Sequence, residues 1–343
     1  MSPTNLLFLN RIALFCFSCL ISMSCARLPK AITSNYRSIA TGKGAEDLVL
    51  DSVSSQSPRL LISCNDHRLQ EKAAEGDIYV YELNEAAANA QVLPRVGEPV
   101  NLQFHPHGIF FSETQDGPLL YVISHIDAEK RHPILVYKVF PDSLVFQKSI
   151  ENKAIYSPNS VTAMRDGGFY ITNDLGKRNN RIEAVLKQKK GSIVYCSPND
   201  SCQRVAEKLS YANGLLISPN EQYLYVSTTA QNKVFQYQIG NNGSLINRTQ
   251  IAKVFGGDNL RWSAGKLIIA GHYNFLAFAA HAKNPEKKSP SVVFEIDIQQ
   301  KSKKLLYADK GAQISAASVG LTRAGKLYIG QVFQDFIIEV PLR

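Results

Sequence analysis

The residues of this chain that could do chemistry begin with Phe104-His105-Pro106-His107-Gly108-Ile109. A β-like run leads in, Pro106 blocks helix, and Gly108 frees the backbone just after His107. A second histidine, His125, closes the apolar run that starts at Leu119. Carboxylates and side-chain amides recur beside other strand-like runs, at Glu46-Asp47, Asn159, Asn173-Asp174, Asn213 and Asp258-Asn259, with His272 at one further edge. Imidazole titrates near neutral pH and can take a proton from water. Glu, Asp and Asn offer hard oxygen ligands, which suit calcium. No trio of histidines at zinc spacing stands beside them. Each residue also has a plainer reading, because Asn and Asp are common in turns and Asn213-Gly214 is by itself a turn signal. Composition alone leaves ligand and turn both open.

Elements that could bring these residues together recur along the chain as paired strand-like segments. The pairs are Arg59–Ile62 with Asp77–Leu83, Leu119–His125 with Ile134–Val139, and Gly168–Asn173 with Gly191–Tyr195. Then come Gln222–Ser227 with Lys233–Tyr237, Lys266–Ala270 with Ser291–Ile296, and Lys326–Gly330 with Asp335–Val340. Short, β-rich units repeated at this spacing predict an all-β, six-bladed β-propeller with about four strands per blade. Tight-turn residues at Asp166-Gly-Gly, Ser218-Pro-Asn-Glu and Arg323-Ala-Gly-Lys precede what read as inner strands. In a propeller the loops around the central channel can each send a residue or two to one point. One segment breaks the pattern. Phe275–Ala282 is Ala-rich and predicts a short helix, either packed on the ring or placed as a lid or membrane-touching element at the mouth of the site.

The chain has 343 residues and a formal net charge of +9. Its densest basic runs, Lys187–Lys190 and Lys301–Lys304, fall between strand-like segments with no interleaved aromatic platform, which argues against nucleic acid as a partner. Residues 1–26 read as a signal peptide or signal anchor. Arg11 precedes the apolar run Ile12–Met23, which is short for a membrane span, and small residues follow. Cys25 adds a lipoprotein reading. The chain is therefore expected to be exported, secreted or periplasmic, or held at a membrane by an uncleaved leader, with residues 27–343 forming the propeller. In an oxidising compartment Cys196 and Cys202, which bracket a turn-rich loop, could close a small disulfide; Cys64 reads as a buried hydrophobe. Asn199, Asn242 and Asn247 lie in glycan-acceptor triplets, which matter only in a eukaryotic secretory host. His132 and His281 read as surface or core residues.

Nine short stretches, in order from about residue 40 to the C-terminus, carry a family resemblance. They are Ala45-Glu-Asp-Leu48, Pro106-His-Gly-Ile109, Val122-Ile-Ser-His125, Pro158-Asn159, Phe169–Asp174, Ala212–Pro219, Asp258-Asn-Leu260, Gly271-His-Tyr-Asn274 and Ala317-Ser-Val319. On these the chain resembles the serum paraoxonase/arylesterase family, calcium-dependent six-bladed propeller hydrolases. The resemblance implies that Glu46, Asn159, Asn213, Asp258 and Asn259 hold a catalytic calcium. It implies that His107 activates the attacking water, with His125 behind it as proton relay. Asp47 and the backbone oxygen of Ile109 would belong to a second, structural calcium, and His272, Asn173 and Asp174 would line or support the substrate pocket. One departure stands out. The family's second site uses an aspartate immediately after the catalytic asparagine, and here that residue is Ser160. A neutral hydroxyl there predicts a weak or absent second ion.

The expected activity is thus carboxylic-ester hydrolysis of lactones and aryl esters, with a small-molecule ester or lactone as partner. Membrane or lipid-particle contact through the N-terminus or Phe275–Ala282 remains open. A sugar-acid lactonase of the gluconolactonase kind, and a non-catalytic or strictosidine-synthase-like binding propeller, are the alternatives.

Overall fold

The computed structural model of the protein describes residues 28–32, 35–68, 75–84 and 88–342. The leader expected over residues 1–26 lies outside the described residues. The first strand, β1 (Arg37–Ala40), is the outermost strand of the last blade. It pairs antiparallel with β25 (Phe336–Pro341), from Arg37 opposite Glu339 to Ala40 opposite Phe336. A strand that precedes blade one thus completes the last blade and closes the ring.

The remaining blades follow in sequence. Blade one is β2 (Ala45–Asp51), β3 (Arg59–Cys64), β4 (Asp77–Glu82) and β5 (Gln91–Val92). Blade two adds a short parallel strand, β6 (Arg95–Val96), to the edge of β7 (Pro106–Thr114), β8 (Gly117–Ser124), β9 (Ile134–Val139) and β10 (Leu144–Ile150). Blade three is β11 (Pro158–Ala163), β12 (Phe169–Asn173), β13 (Gly191–Cys196) and β14 (Cys202–Leu209). Blade four is β15 (Ala212–Ile217), β16 (Tyr223–Thr228), β17 (Lys233–Ile239) and β18 (Leu245–Lys253). Blade five is β19 (Gly257–Ser263), β20 (Lys266–His272), β21 (Ser291–Asp297) and β22 (Ser302–Asp309). Blade six is β23 (Ala317–Arg323), β24 (Lys326–Gln331) and β25, completed by β1. The protein is the all-β, six-bladed propeller that its repeat predicts.

The repeat visible in sequence is made of the second and third strands of each blade. These are sandwiched between neighbouring blades, so they read as near-continuous apolar runs; β12 and β13 are buried at every position. The tight turns at Asp166, Ser218 and Arg323 lead from the innermost strand to the second, not into the innermost strand as expected. Hydrophobic cores fill the seams between blades. Leu48, Leu60 and Ile62 meet Val319 and Tyr328 across blades one and six, and Leu120 and Val122 meet Leu61 and Ile78 across blades two and one.

A buried ion pair reinforces one seam: Arg59 Nε donates to Asp51 Oδ2 at 2.8 Å, and its Nη2 reaches Phe140 O of blade two at 2.7 Å. Cys196 and Cys202 face each other across β13 and β14 and form a disulfide. Cys64 is buried, and burial pushes its thiol up to about 12. Among the described residues two α-helices sit among the loops, α1 (Arg181–Val185) and α2 (Phe275–Lys283). Among the described residues no helix is long and apolar enough to cross a membrane.

Candidate active site

Every innermost strand carries an irregularity at the same place. The register shifts between Ala45 and Asp47 in β2, Pro106 and Ile109 in β7, and Pro158 and Val161 in β11. It shifts again between Ala212 and Leu215 in β15, Gly257 and Leu260 in β19, and Ala317 and Val319 in β23. A bulge frees a residue from the ladder and re-aims its side chain. The freed residues here are Glu46, His107, Asn159, Asn213, Asp258-Asn259 and Ser318. Hydroxyls take up the backbone carbonyls that the bulges release. Ser318 Oγ donates to Glu46 O at 2.6 Å, Thr172 Oγ1 to Asn213 O at 2.8 Å, and Ser227 Oγ to Asp258 O at 2.7 Å. Adjacent bulges touch, so a Cβ at Gly108 would lie 2.3 Å from Asn159 O, and one at Gly214 would lie 2.4 Å from Asp258 O. Glycine in both positions lets the blades close on the axis.

A cavity of about 1090 Å³ opens above this ring, lined by Glu46, His107, Asn159, Asn213, Asp258, Asp174 and His272 among others. Glu46 Oε2 lies 2.8 Å from His107 Nδ1 and 2.7 Å from His67 Nε2, neither aligned as a hydrogen bond. His272 Nε2 lies 2.6 Å from Asp258 Oδ2. Asn213 uses its Nδ2 on Thr229 Oγ1 at 3.1 Å, which leaves its Oδ1 buried without a partner; Asn259 Oδ1 is buried and unpartnered too. The His107 and His125 rings approach to 4.8 Å between centroids. Behind them His125 Nδ1 meets His132 Nδ1 at 3.1 Å. Arg178 enters from the cavity wall, with Nε 3.4 Å from Asp127 and Nη1 3.8 Å from Asp174. Phe278 of α2 stacks on His272 at 4.2 Å, so the Ala-rich segment is a helix in the wall of the cavity.

The charges in this space are strongly coupled. Burial pushes the Glu46 carboxyl up, but the His107 and His67 rings outweigh that and hold it well below the usual carboxylate range. Burial pulls His107 down; Glu46 more than offsets this and raises its affinity for a proton. His125 moves the other way, held well below its ordinary value by burial and then by Arg178 and the neighbouring rings. His132 is held down to about 4, by burial and Arg178 against the pull of Asp127. Burial raises Asp258 and Asp174 against the opposing effects of His272 and Arg178.

The arylesterase family model matches residues 69–339 of the chain. The chain belongs to the arylesterase family. It is 27% identical to human serum paraoxonase/arylesterase 2 over 266 residues, 75% of each chain, and 28% identical to human serum paraoxonase/lactonase 3 over 270 residues, again 75% of each. Among solved structures, a luciferin-regenerating enzyme shares the fold with a TM-score of 0.56 at 12% identity, over 90% of this chain and 95% of that one. A gluconolactonase from Xanthomonas campestris aligns with a TM-score of 0.50 at 16% identity, over 92% of this chain and all of that one. The family is one of hydrolases, and in that broad sense the chain is a hydrolase on a six-bladed propeller.

The expected residues divide into three groups. Glu46, His107, Asn159, Asn213, Asp258, Asp174 and His272 all face the one cavity. Asn259 and His125 are buried just behind it. Asn173, expected to line or support the pocket, is fully buried outside it; its Oδ1 accepts from Tyr156 and Ser157 N–H at 3.0 Å each, and its Nδ2 donates to Ala154 O at 2.8 Å. It supports the loop that carries Asn159. Asp47 and Ile109 do not face the cavity either. Both are bonded to Arg261, and burial raises the Asp47 carboxyl against the opposing pull of that guanidinium.

Four residues absent from the expectation complete the site: His67 on Glu46, His132 on His125, Arg178 between two carboxylates, and Arg261. Among the described residues two groups bring ligand atoms within 4.8 Å of one another, Glu46-His67-His107 and His125-Asp127-His132. The oxygen donors fit a hard cation. The unpartnered amide oxygens of Asn213 and Asn259 lie in the same layer of bulges as Glu46 and Asp258, and a buried acceptor with no donor is otherwise costly.

Proposed function

We propose that the protein is a calcium-dependent hydrolase of lactones and aryl esters, with Glu46, Asn159, Asn213, Asp258 and Asn259 holding the ion. The observation that carries this is the pair of buried, unpartnered amide oxygens, Asn213 Oδ1 and Asn259 Oδ1, in the layer of bulges that also carries the Glu46 and Asp258 carboxylates. When bound, calcium supplies positive charge against which a carbonyl oxygen becomes more negative during attack. The side chains do the rest. Glu46 faces His107 Nδ1, which leaves His107 Nε2, buried and unpartnered, as the atom that takes a proton from water. Glu46 stabilises the imidazolium that results, in keeping with the raised proton affinity of His107. His125, neutral and close to the His107 ring, is placed to accept or return that proton. Phe255, Tyr273, Phe275 and Phe278 line one wall and select an apolar acyl or aryl group while excluding water.

Hydrolysis of an aryl ester and of an acyl lactone, assayed with and without excess chelator, tests the reading. Loss of both activities in chelator and their return on adding calcium are expected, as is their loss in Asp258→Ala. Full activity in excess chelator ends it. The gluconolactonase fold neighbour favours sugar-acid lactones as a second reading, which the aromatic wall opposes. Faster turnover of sugar lactones than of acyl lactones would decide for that reading. We place the protein outside the cytoplasm on the strength of its leader and the disulfide; Phe275 and Leu276, exposed on α2, are where membrane or lipid contact would fall.

A further inference from the structure

Directly beneath the cavity the propeller axis is crossed by one charged side chain. Arg261 belongs to β19 of blade five, yet its guanidinium ends between blades one and two. Its Nη2 bonds the Asp47 carboxylate and lies 3.3 Å from Ile109 O, while its Nε donates to Leu48 O. Asp47 is fully enclosed and the Arg261 side chain nearly so, at 0% and 6% exposed. The carboxylate is satisfied on both oxygens, since Oδ1 also accepts from Leu48 N at 3.0 Å and Oδ2 from Ile109 N at 2.9 Å. These are the two groups, one carboxylate and one backbone carbonyl, that the family resemblance assigns to a second calcium. The third position is no better suited. Ser160 is neutral, and its Oγ accepts from Leu215 N at 3.1 Å, toward blade four. A calcium ion needs six or more oxygens and several charges. This layer offers one carboxylate whose oxygens are already taken.

We infer that Arg261 takes the place of the second cation: the protein carries a built-in guanidinium where a structural calcium would sit, and it binds calcium only at the upper layer. The fit is chemical. A guanidinium is always charged, presents several donors in one plane, and matches a carboxylate and a carbonyl together. Displacing it with calcium would strand a buried positive charge, which is strongly unfavourable. The axis of this arylesterase is thus held by three inner strands, β2, β7 and β19, through a side chain that no chelator removes. The upper-layer ion belongs to the proposed function; the placement of Arg261 does not depend on it.

The test is calcium stoichiometry of the full chain, by equilibrium dialysis against calcium alone. The wild type is expected to saturate at one ion. Ser160→Asp combined with Arg261→Ala restores two carboxylates around the vacated space and is expected to hold one ion more than wild type, with a melting temperature that rises further on adding calcium. Arg261→Lys keeps a cation there and is expected to match the wild-type count. Two ions on the wild type overturn the inference, as does a folded double variant that gains none. Should the double variant fail to fold, the wild-type and Arg261→Lys counts decide alone: equal counts of one or none uphold the inference, and a higher count in either overturns it. A wild type that holds no calcium refutes the proposed function, while a gain of one ion in the double variant still upholds the role of Arg261.

Discussion

Replacing His132 by Gln should change how stability depends on acid. His132 is buried, its side chain 3% exposed, between His125 Nδ1 at 3.1 Å and Asp127 at 4.0 Å, with Arg178 facing the same space. Burial and that guanidinium hold its proton affinity down to about 4. In the unfolded chain the ring titrates at about 6.5. The unfolded state therefore takes up the proton first as pH falls, so stability is lost through the window between those values and is level again below it. The gap is about 2.5 pH units, or about 3 kcal/mol at 1.36 kcal/mol per unit.

Near neutral pH the variant should be the weaker protein by about 1 kcal/mol, since His125 Nδ1 loses a partner. Below the window it should be the more stable protein by about 2 kcal/mol, and the two curves should cross. Urea denaturation of both proteins at pH values from about 7.5 to about 3.5 reads the difference directly. A difference that stays flat over that range refutes the argument, because it would mean that the folded environment does not exclude the proton from His132.

Two further substitutions probe the site. Gly214→Ala would set a Cβ against Asp258 O and Asn259 Cα at 2.4 and 2.7 Å, so the bulges must part. The expected result is a folded protein by circular dichroism whose apparent calcium affinity and kcat/KM both drop by an order of magnitude or more, about 1.4 kcal/mol per decade. Phe278→Ala removes the ring stacked on His272; with aromatic pairs contributing about 0.5–1.5 kcal/mol, kcat/KM for an aryl ester should fall about 2- to 10-fold while a small acyl ester is less affected.

The fold was legible because the second strand of each blade is buried almost throughout and the third is largely apolar. Ile-Tyr-Val-Tyr at residues 78–81 or Phe-Tyr-Ile-Thr at 169–172 announces a strand by composition alone. The innermost strands announced themselves less well. In each, the bulge puts a polar residue where a regular strand would have an apolar one, so Asn213-Gly214 reads as a turn. Residues in the bulges were recoverable from the family resemblance, because they recur in order. His67, Arg178 and His132 were not, since they come from connections with no motif of their own. For His132 a signal did exist. It and His125 flank the connection between two paired strands, and Ser124 N bonding Pro133 O at 3.0 Å brings those strand ends together. Two histidines at the ends of such a connection are neighbours whenever the pairing is right.

Arg261 gives the clearest case of what spacing does decide. Glu46 and Asp47 are consecutive, yet one lines the cavity and the other is sealed on the axis. A single step in a bulged strand separates two layers that need different counter-charges. The upper layer is open: His67, His107 and His272 face its carboxylates, and the unpaired amide oxygens of Asn213 and Asn259 are left for something from outside. The lower layer is closed, and Arg261, two residues beyond Asn259 on the facing strand, returns to it from the same chain. An arginine flanked by Leu260 and Trp262 in an inner strand is itself the mark of a buried carboxylate opposite, since a guanidinium left unpaired there would not be tolerated.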